Sequence, residues 1–292
     1  MGKSREIKQR MKAVANIRRI TRTMQMIATS KFAKAQQAAT DSKPYTGALF
    51  DLVAQLSAAA GEDASHPLLK VANPDAPELT LVITSDRGLC GPYNGIILRS
   101  AISHIRASDK ASTGPIELVG KKGANVLKFS RIPVETQHMH FGDKPAYDDV
   151  ERLAQTYIDR FLAGEISAVR VISMQYISAG RQKPRVMQLL PFSAPDADTL
   201  EHAAGPNLIY DFDPDPERLL ASLLPAAVKT SLFQAFNDAI VSEHIARMVA
   251  MKAATDNAAK MGKGLRREFN RVRQAQITTE LTEIVSGAAA LG

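Results

Sequence analysis

The sequence predicts an α/β protein built as a long antiparallel coiled coil of N- and C-terminal helices with an inserted Rossmann-like α/β domain. Three observations lead there. The first 58 residues carry no Pro before Pro44 and no Gly between Gly2 and Gly47. The middle alternates short apolar runs with amphipathic stretches, the mark of an α/β layer domain. From Pro214 a helical pattern returns and continues to the end of the chain. Composition fits thin helices better than one large core, because aromatic residues are 5% of the 292 and Trp is absent. Two helices that meet through small and aliphatic side chains need few rings.

The elements follow in order. In residues 1–58, Ile7, Met11, Val14, Ile17, Ile20, Met24 and Ile27 recur at helical spacing and predict one apolar stripe. Pro44 and Gly47 are expected to bend or loosen this helix. Gly61, Pro67, Pro74 and Pro77 then break the pattern. Residues 79–84 read as a strand, Ser85–Pro92 as a turn-rich loop, 93–107 as an amphipathic stretch, 116–119 as a second strand and 121–129 as a helix. A third strand is expected near 134–140, a helix over 147–163, and two more strands at 169–178 and 184–191. The last helix carries Pro225, Gly262 and Gly264, which argue against a perfectly straight course. Its final turns step 4-3-4-3 through Ile277, Leu281, Ile284, Ala288 and Leu291, the spacing of a heptad seam. The expected division is 1–58, 59–213 and 214–292.

The two long helices differ in length. At 1.5 Å per residue the first is about 85 Å and the second, from about residue 217, about 110 Å. If residue 58 lies opposite residue 217, an antiparallel pairing brings residue 2 near residue 273. Residues beyond Arg273 then have no partner within the chain, yet they include Ile277, Leu281, Ile284 and Val285. An apolar helix left in water marks a binding surface. Charge gathers at the same end. Residues 1–37 hold ten basic residues against Glu6, and residues 260–273 hold six against Glu268. Together these zones carry twice the +7 of the whole chain, so that end should seek acidic partners. Nucleic acid is one such partner, and a basic coiled-coil adaptor is the alternative function. Against it, no aromatic platform is present, and the helix turns apolar at its end where a nucleic-acid arm would stay basic.

Several chemistries are set aside. Gly120-Lys121-Lys122-Gly123 lacks the frame of a phosphate-binding loop, and Gly88 and Gly91 lack the third Gly of a dinucleotide turn. His138 and His140 lie two apart on an expected strand, with no nearby Cys or further His to complete a metal site. Cys90 stands alone, which excludes an intrachain disulfide. No nucleophile triad or carboxylate pair is evident, so no catalytic, cofactor-binding or metal-binding residue is assigned. No run reaches the roughly 18 apolar residues of a membrane span. The first twenty residues hold no apolar signal segment, and a cytosolic compartment without import is expected.

Four blocks carry a family resemblance: ITRTMQMIATSK (Ile20–Lys31), SDRGLCG (Ser85–Gly91), SEHIARMVAMKAATDN (Ser242–Asn257) and RQAQITTELTEIVSGAAAL (Arg273–Leu291). They are similar to the γ subunit of the F-type, H+-transporting two-sector ATP synthase. The resemblance covers the full length and is most specific in the C-terminal blocks. It implies a non-catalytic central rotor shaft without a cofactor, standing inside a ring of alternating α and β subunits. The central domain would sit against the ε subunit and the membrane-embedded c-ring, peripheral on the cytoplasmic face of a bacterial inner membrane, with no nucleic acid involved. Ion flow would turn the shaft and force the β sites through their binding states. The resemblance also implies partner contacts. Arg273 and Gln274 would touch an acidic loop of the β subunit, with Met24 near the same level. The apolar tip at Ile277, Leu281 and Ile284 would turn in an apolar sleeve. One departure is Pro92, where the family commonly has a second Gly; its place in the first turn of a helix makes only local change expected. The redox-regulatory cysteine insert of the chloroplast form is absent.

Overall fold

The computed structural model describes residues 2–59, 66–71, 73–193 and 216–291. Gly61, read above as a break, and Pro214, where the last helical pattern was expected to begin, lie outside the described residues. In chain order the elements are α1 (Gly2–Ala59), β1 (Glu78–Ile83), α2 (Tyr93–Ala107), α3 (Asp109–Thr113), β2 (Ile116–Val119), α4 (Ala124–Phe129), β3 (Thr136–His138), α5 (Tyr147–Leu162), β4 (Ala168–Ser178), β5 (Arg181–Leu190) and α6 (Pro216–Leu291). The chain divides into two units, Lys31–Ala246 and Met1–Ser30 with Arg247–Gly292.

The Lys31–Ala246 unit is built on a five-stranded sheet in the order β3-β2-β1-β4-β5. β1, β2, β3 and β4 run parallel, and β5 closes the sheet antiparallel to β4. β1 is central and all six of its residues are buried. A parallel strand covered on both faces needs a mostly apolar run without strict alternation, and residues 79–83 supply one that only Thr80 interrupts. Leu79, Leu81 and Ile83 point to one core with Leu49, Val53 and Leu56 of α1, Tyr157 and Phe161 of α5, and Leu220 to Ala239 of α6. Val82 points to the other, with Ile97 and Ala101 of α2 and Leu127 of α4. Segments of both long helices therefore belong to the core of the sheet.

Several expectations shift at their edges. α3 was not expected; Ser108 starts it by accepting from the Ala111 amide at 3.3 Å. The expected helix at 121–129 begins only at Ala124, because Gly120 turns the chain with φ +86°. A Cβ at Gly120 would lie 2.4 Å from the Thr84 carbonyl oxygen, so the approach of these backbones requires Gly. The strand expected near 134–140 is only three residues long, and His140 lies beyond it. β5 starts at Arg181 rather than 184 and contains Pro184, tolerated because β5 is a sheet edge. α1 continues as helix through Pro44 and α6 through Pro225. One stretch of α6 is long and apolar enough to cross a membrane by length and composition, and 44% of it is buried within the chain itself.

In the other unit, residues 2–30 of α1 and 247–274 of α6 form an antiparallel pair, and α6 continues beyond it to Leu291. Thr255 Oγ1 lies 2.8 Å from Thr21 Oγ1, and a methyl at Gly262 would touch Val14 at 3.9 Å. In both pairs the residue numbers sum to the same value, so residue 2 falls opposite residue 274, one from the expected 273. On α6 the covered positions include Met251, Thr255, Ala258, Gly262, Leu265, Phe269, Val272 and Gln276, a 4-3 alternation flanked by half-buried Ala254, Ala259 and Glu268. On α1 they include Ile7, Val14, Thr21 and Ala28, spaced by seven, with Met11 and Met24 half-buried. This corrects the apolar stripe read on α1. Ile17, Ile20 and Ile27 are exposed, because successive steps of three from Val14 each turn the count about 60° off the seven-residue seam. The seam runs instead through Thr21 and Ala28, which hydrophobicity alone did not mark.

Candidate functional site

The basic and apolar end of α6 is the candidate contact surface. It lies where the register runs past the start of α1 at Gly2. Arg273 and Gln274 are both exposed there. Beyond them Ile277 is 48%, Leu281 57% and Ile284 67% exposed, with Val285 exposed beside them. Ala288 is also exposed, and the side chain of Leu291 lies outside the description. Met24 sits apart from this group, half-buried on α1 between exposed Ile20 and Ile27.

The phase of the end matters. Stepping back from Ile277 by the same 4-3 alternation passes through Arg273, Asn270, Arg266 and Lys263, all exposed. The covered seam arrives instead at Gln276, one residue and about 100° away. The apolar stripe of the end thus continues the basic outer face of α6 and not its paired face. A partner reading that line would meet cations first and then aliphatic side chains.

The block at Ser85–Gly91 is a locked loop. Asn94 Oδ1 accepts from the Ser85 amide at 3.0 Å, and its Nδ2 donates to Ser85 Oγ at 2.7 Å and reaches Cys90 Sγ at 3.3 Å. Leu89 and Gly91 both take positive φ. Cys90 is buried among these groups. Pro92 caps α2 at φ −80°, an angle its ring prefers, so the departure from the family pattern fits the turn.

Sequence reasoning missed two buried carboxylates. Glu117 on β2 accepts from His138 Nε2 and from the Tyr157 hydroxyl, each at 2.7 Å, with Arg160 Nη1 at 3.5 Å. Burial alone would raise its pKa; the two hydrogen bonds and the charges of His138 and Arg160 outweigh that and hold it below its ordinary value. Burial, then the Glu117 charge and hydrogen bond, push Tyr157 well above the usual phenol. On β1, Glu78 accepts from His104 Nε2 at 2.7 Å and from Arg170 Nε at 3.3 Å. His138 is thus a structural partner of Glu117. Its ring meets that of His140 edge-on at 6.0 Å. Among the described residues no group of three or more His, Cys, Asp or Glu is placed to hold a metal.

A five-stranded α/β unit and an antiparallel helix pair, with one helix end left apolar and basic, are the parts of a shaft-type subunit of a larger assembly. Residues 3–291 match the ATP synthase family. The ATP synthase gamma chain of Rhodopirellula baltica is 40% identical over 295 residues, covering 100% of this chain and 99% of the relative. That of Leptospira biflexa is 38% identical over 292 residues and covers both chains fully. The chain belongs to the ATP synthase gamma chain family. Among solved structures, a chain of the Euglena gracilis mitochondrial ATP synthase OSCP/F1/c-ring assembly superposes with a TM-score of 0.64 at 16% identity, covering 99% of this chain and 95% of that one. A central stalk/c-ring chain from Tetrahymena thermophila mitochondrial ATP synthase gives 0.58 at 20% identity, over 80% of this chain and 99% of that one. Nothing in the fold or in these relatives points to nucleic acid.

Proposed function

We propose that this chain is the central rotor shaft of an F-type ATP synthase. It couples ion flow through a membrane sector to ATP synthesis and hydrolysis on other subunits, and carries no catalytic site of its own. Its partners are the α and β subunits of the head, the ε subunit and the c-ring. It works as a peripheral protein on the cytoplasmic face of the inner membrane. The segments 1–58 and 214–292 act as the shaft and 59–213 as the domain mounted on it.

The observation that carries this reading is the end of α6, where exposed Arg273 and Gln274 lead directly into exposed Ile277, Leu281 and Ile284. Arg273 and Gln274 engage an acidic loop of the β subunit, while Met24, which the register sets opposite residue 252, makes its partner contact at another level of the shaft. The aliphatic end turns against an apolar sleeve that offers no fixed polar lock. The test is reconstitution. The purified chain should hydrolyse no ATP alone and should raise turnover when added to α and β subunits. Hydrolysis by the chain itself, surviving removal of contaminants, would sink the reading.

A further inference from the structure

In parallel α/β sheets, ligands bind outside the carboxyl ends of the strands, near the point where strand order reverses. Here β2 and β3 lie on one side of β1 and β4 on the other, so the reversal falls between β1 and β4, and the ends of β2 and β3 continue the same edge. α6 packs along that edge, with Val241 and Ile245 near Tyr176 of β4. The crevice between Thr84, Gly120 and His138 on the sheet side and Phe236, Ile240 and Glu243 on α6 has about 20 Å³ left, room for roughly one water. α6 is held there along one stripe. Lys229 Nζ donates to Glu151 at 2.9 Å. Phe233 meets Tyr147 edge-on at 5.3 Å, and Phe236 meets Phe141 at 4.7 Å. The Tyr93 hydroxyl donates to the Ala239 carbonyl at 3.0 Å with both residues buried. These positions on α6 recur at helical spacing, so one face is gripped over several turns by α2, α5 and the loop after β3.

We propose that this crevice beside the strand ends serves as a torque joint, in which Tyr93, Phe141 and Tyr147 fix the angle of α6 within the α/β unit. Tyr93 is a positioning residue: it touches no substrate and acts by holding α6. The inference rests on the rotor reading. Hydrogen bonds and ring contacts resist rotation about a helix axis better than aliphatic packing does, because each has a preferred direction. A joint of this kind lets the domain and α6 turn as one.

The test uses the assembled complex in inverted vesicles, with ion pumping and ATP hydrolysis measured together. Tyr93→Phe keeps the ring and removes only the hydroxyl; Phe141→Ala with Phe236→Ala empties the ring contact. Amide exchange of the full chain reports whether residues 229–243 loosen. The expected result is faster exchange there, hydrolysis within twofold of wild type, and ions pumped per ATP reduced about twofold in Tyr93→Phe and further in the double variant. Faster exchange with an unchanged ratio would overturn the joint, since α6 would then be loose without loss of coupling. Unchanged exchange would also overturn it, since these contacts would not be what holds α6. A wild-type chain that restores no pumping to complexes lacking this subunit would instead defeat the rotor reading.

Discussion

Thr255 Oγ1 lies 2.8 Å from Thr21 Oγ1 in the buried seam between α1 and α6, 234 residues apart in sequence. Each hydroxyl also reaches a carbonyl of its own helix, Arg18 for Thr21 and Met251 for Thr255. The pair costs little to bury because neither oxygen depends on the other alone, and it marks a single register.

Thr21→Val and Thr255→Val should each lower stability by about 0.5–1.5 kcal/mol. A double-mutant cycle should show a coupling of about 0.5–1 kcal/mol. Chemical unfolding of the full chain measures both. Strict additivity would mean that the contact carries no energy.

Gly120→Ala should be among the most damaging single substitutions. It combines φ +86° with a Cβ placed 2.4 Å from a backbone oxygen, and should cost more than about 2 kcal/mol. Gly142→Ala is the control: φ is +56° but the space around it is open, so about 1 kcal/mol is expected. Equal losses in the melting temperatures would show that the collision is relieved by movement.

Acid should act through Glu117. Its folded pKa lies below its ordinary 4.5, so the stability it contributes is fully present above that value and is lost as pH falls through the folded one. Glu117→Gln should lower stability at neutral pH by about 1–3 kcal/mol and flatten the decline of the melting temperature below pH 5. An acid limb parallel to that of wild type would assign the acid sensitivity to other carboxylates.

Arg273→Ala with Gln274→Ala should leave subunit stoichiometry intact and slow both synthesis and hydrolysis. A contact that forms and breaks during rotation affects rate more than assembly. Arg273→Glu should be slower still, because it sets like charges against each other at an acidic partner. Truncation after Arg273 should lower the yield of complex by removing Ile277, Leu281 and Ile284. A double alanine variant that fails to assemble, beside a truncation that assembles normally, would reverse the two roles.

How far the sequence could be read depended on the kind of signal. The long helices were legible because Gly and Pro are nearly absent from their interiors, and the register followed from chain lengths alone. The central strand showed as an apolar run interrupted only by Thr80. The seam of α1 was misread because its covered positions at Thr21 and Ala28 are small or polar, while Ile17, Ile20 and Ile27 outside it are the more hydrophobic. The networks around Glu117 and Glu78 left no local trace, since their partners come from distant strands and helices. His138 and His140 were weighed as a pair, yet the partner of His138 is a carboxylate 21 residues earlier. The exposed end of α6 was readable as apolar. Its alignment with Arg273, Asn270 and Arg266 emerged only once the covered positions were known.

α6 is one unbroken helix of 76 residues. A twist of roughly 40° applied between its ends asks about half a degree of each residue, far inside the 15–20° scatter that helix dihedrals tolerate. Strain of that size breaks no hydrogen bond and is recovered when the load is released. The helix therefore has the compliance of a torsion spring: a twist applied at one end can be taken up along its length and given back without loss of structure.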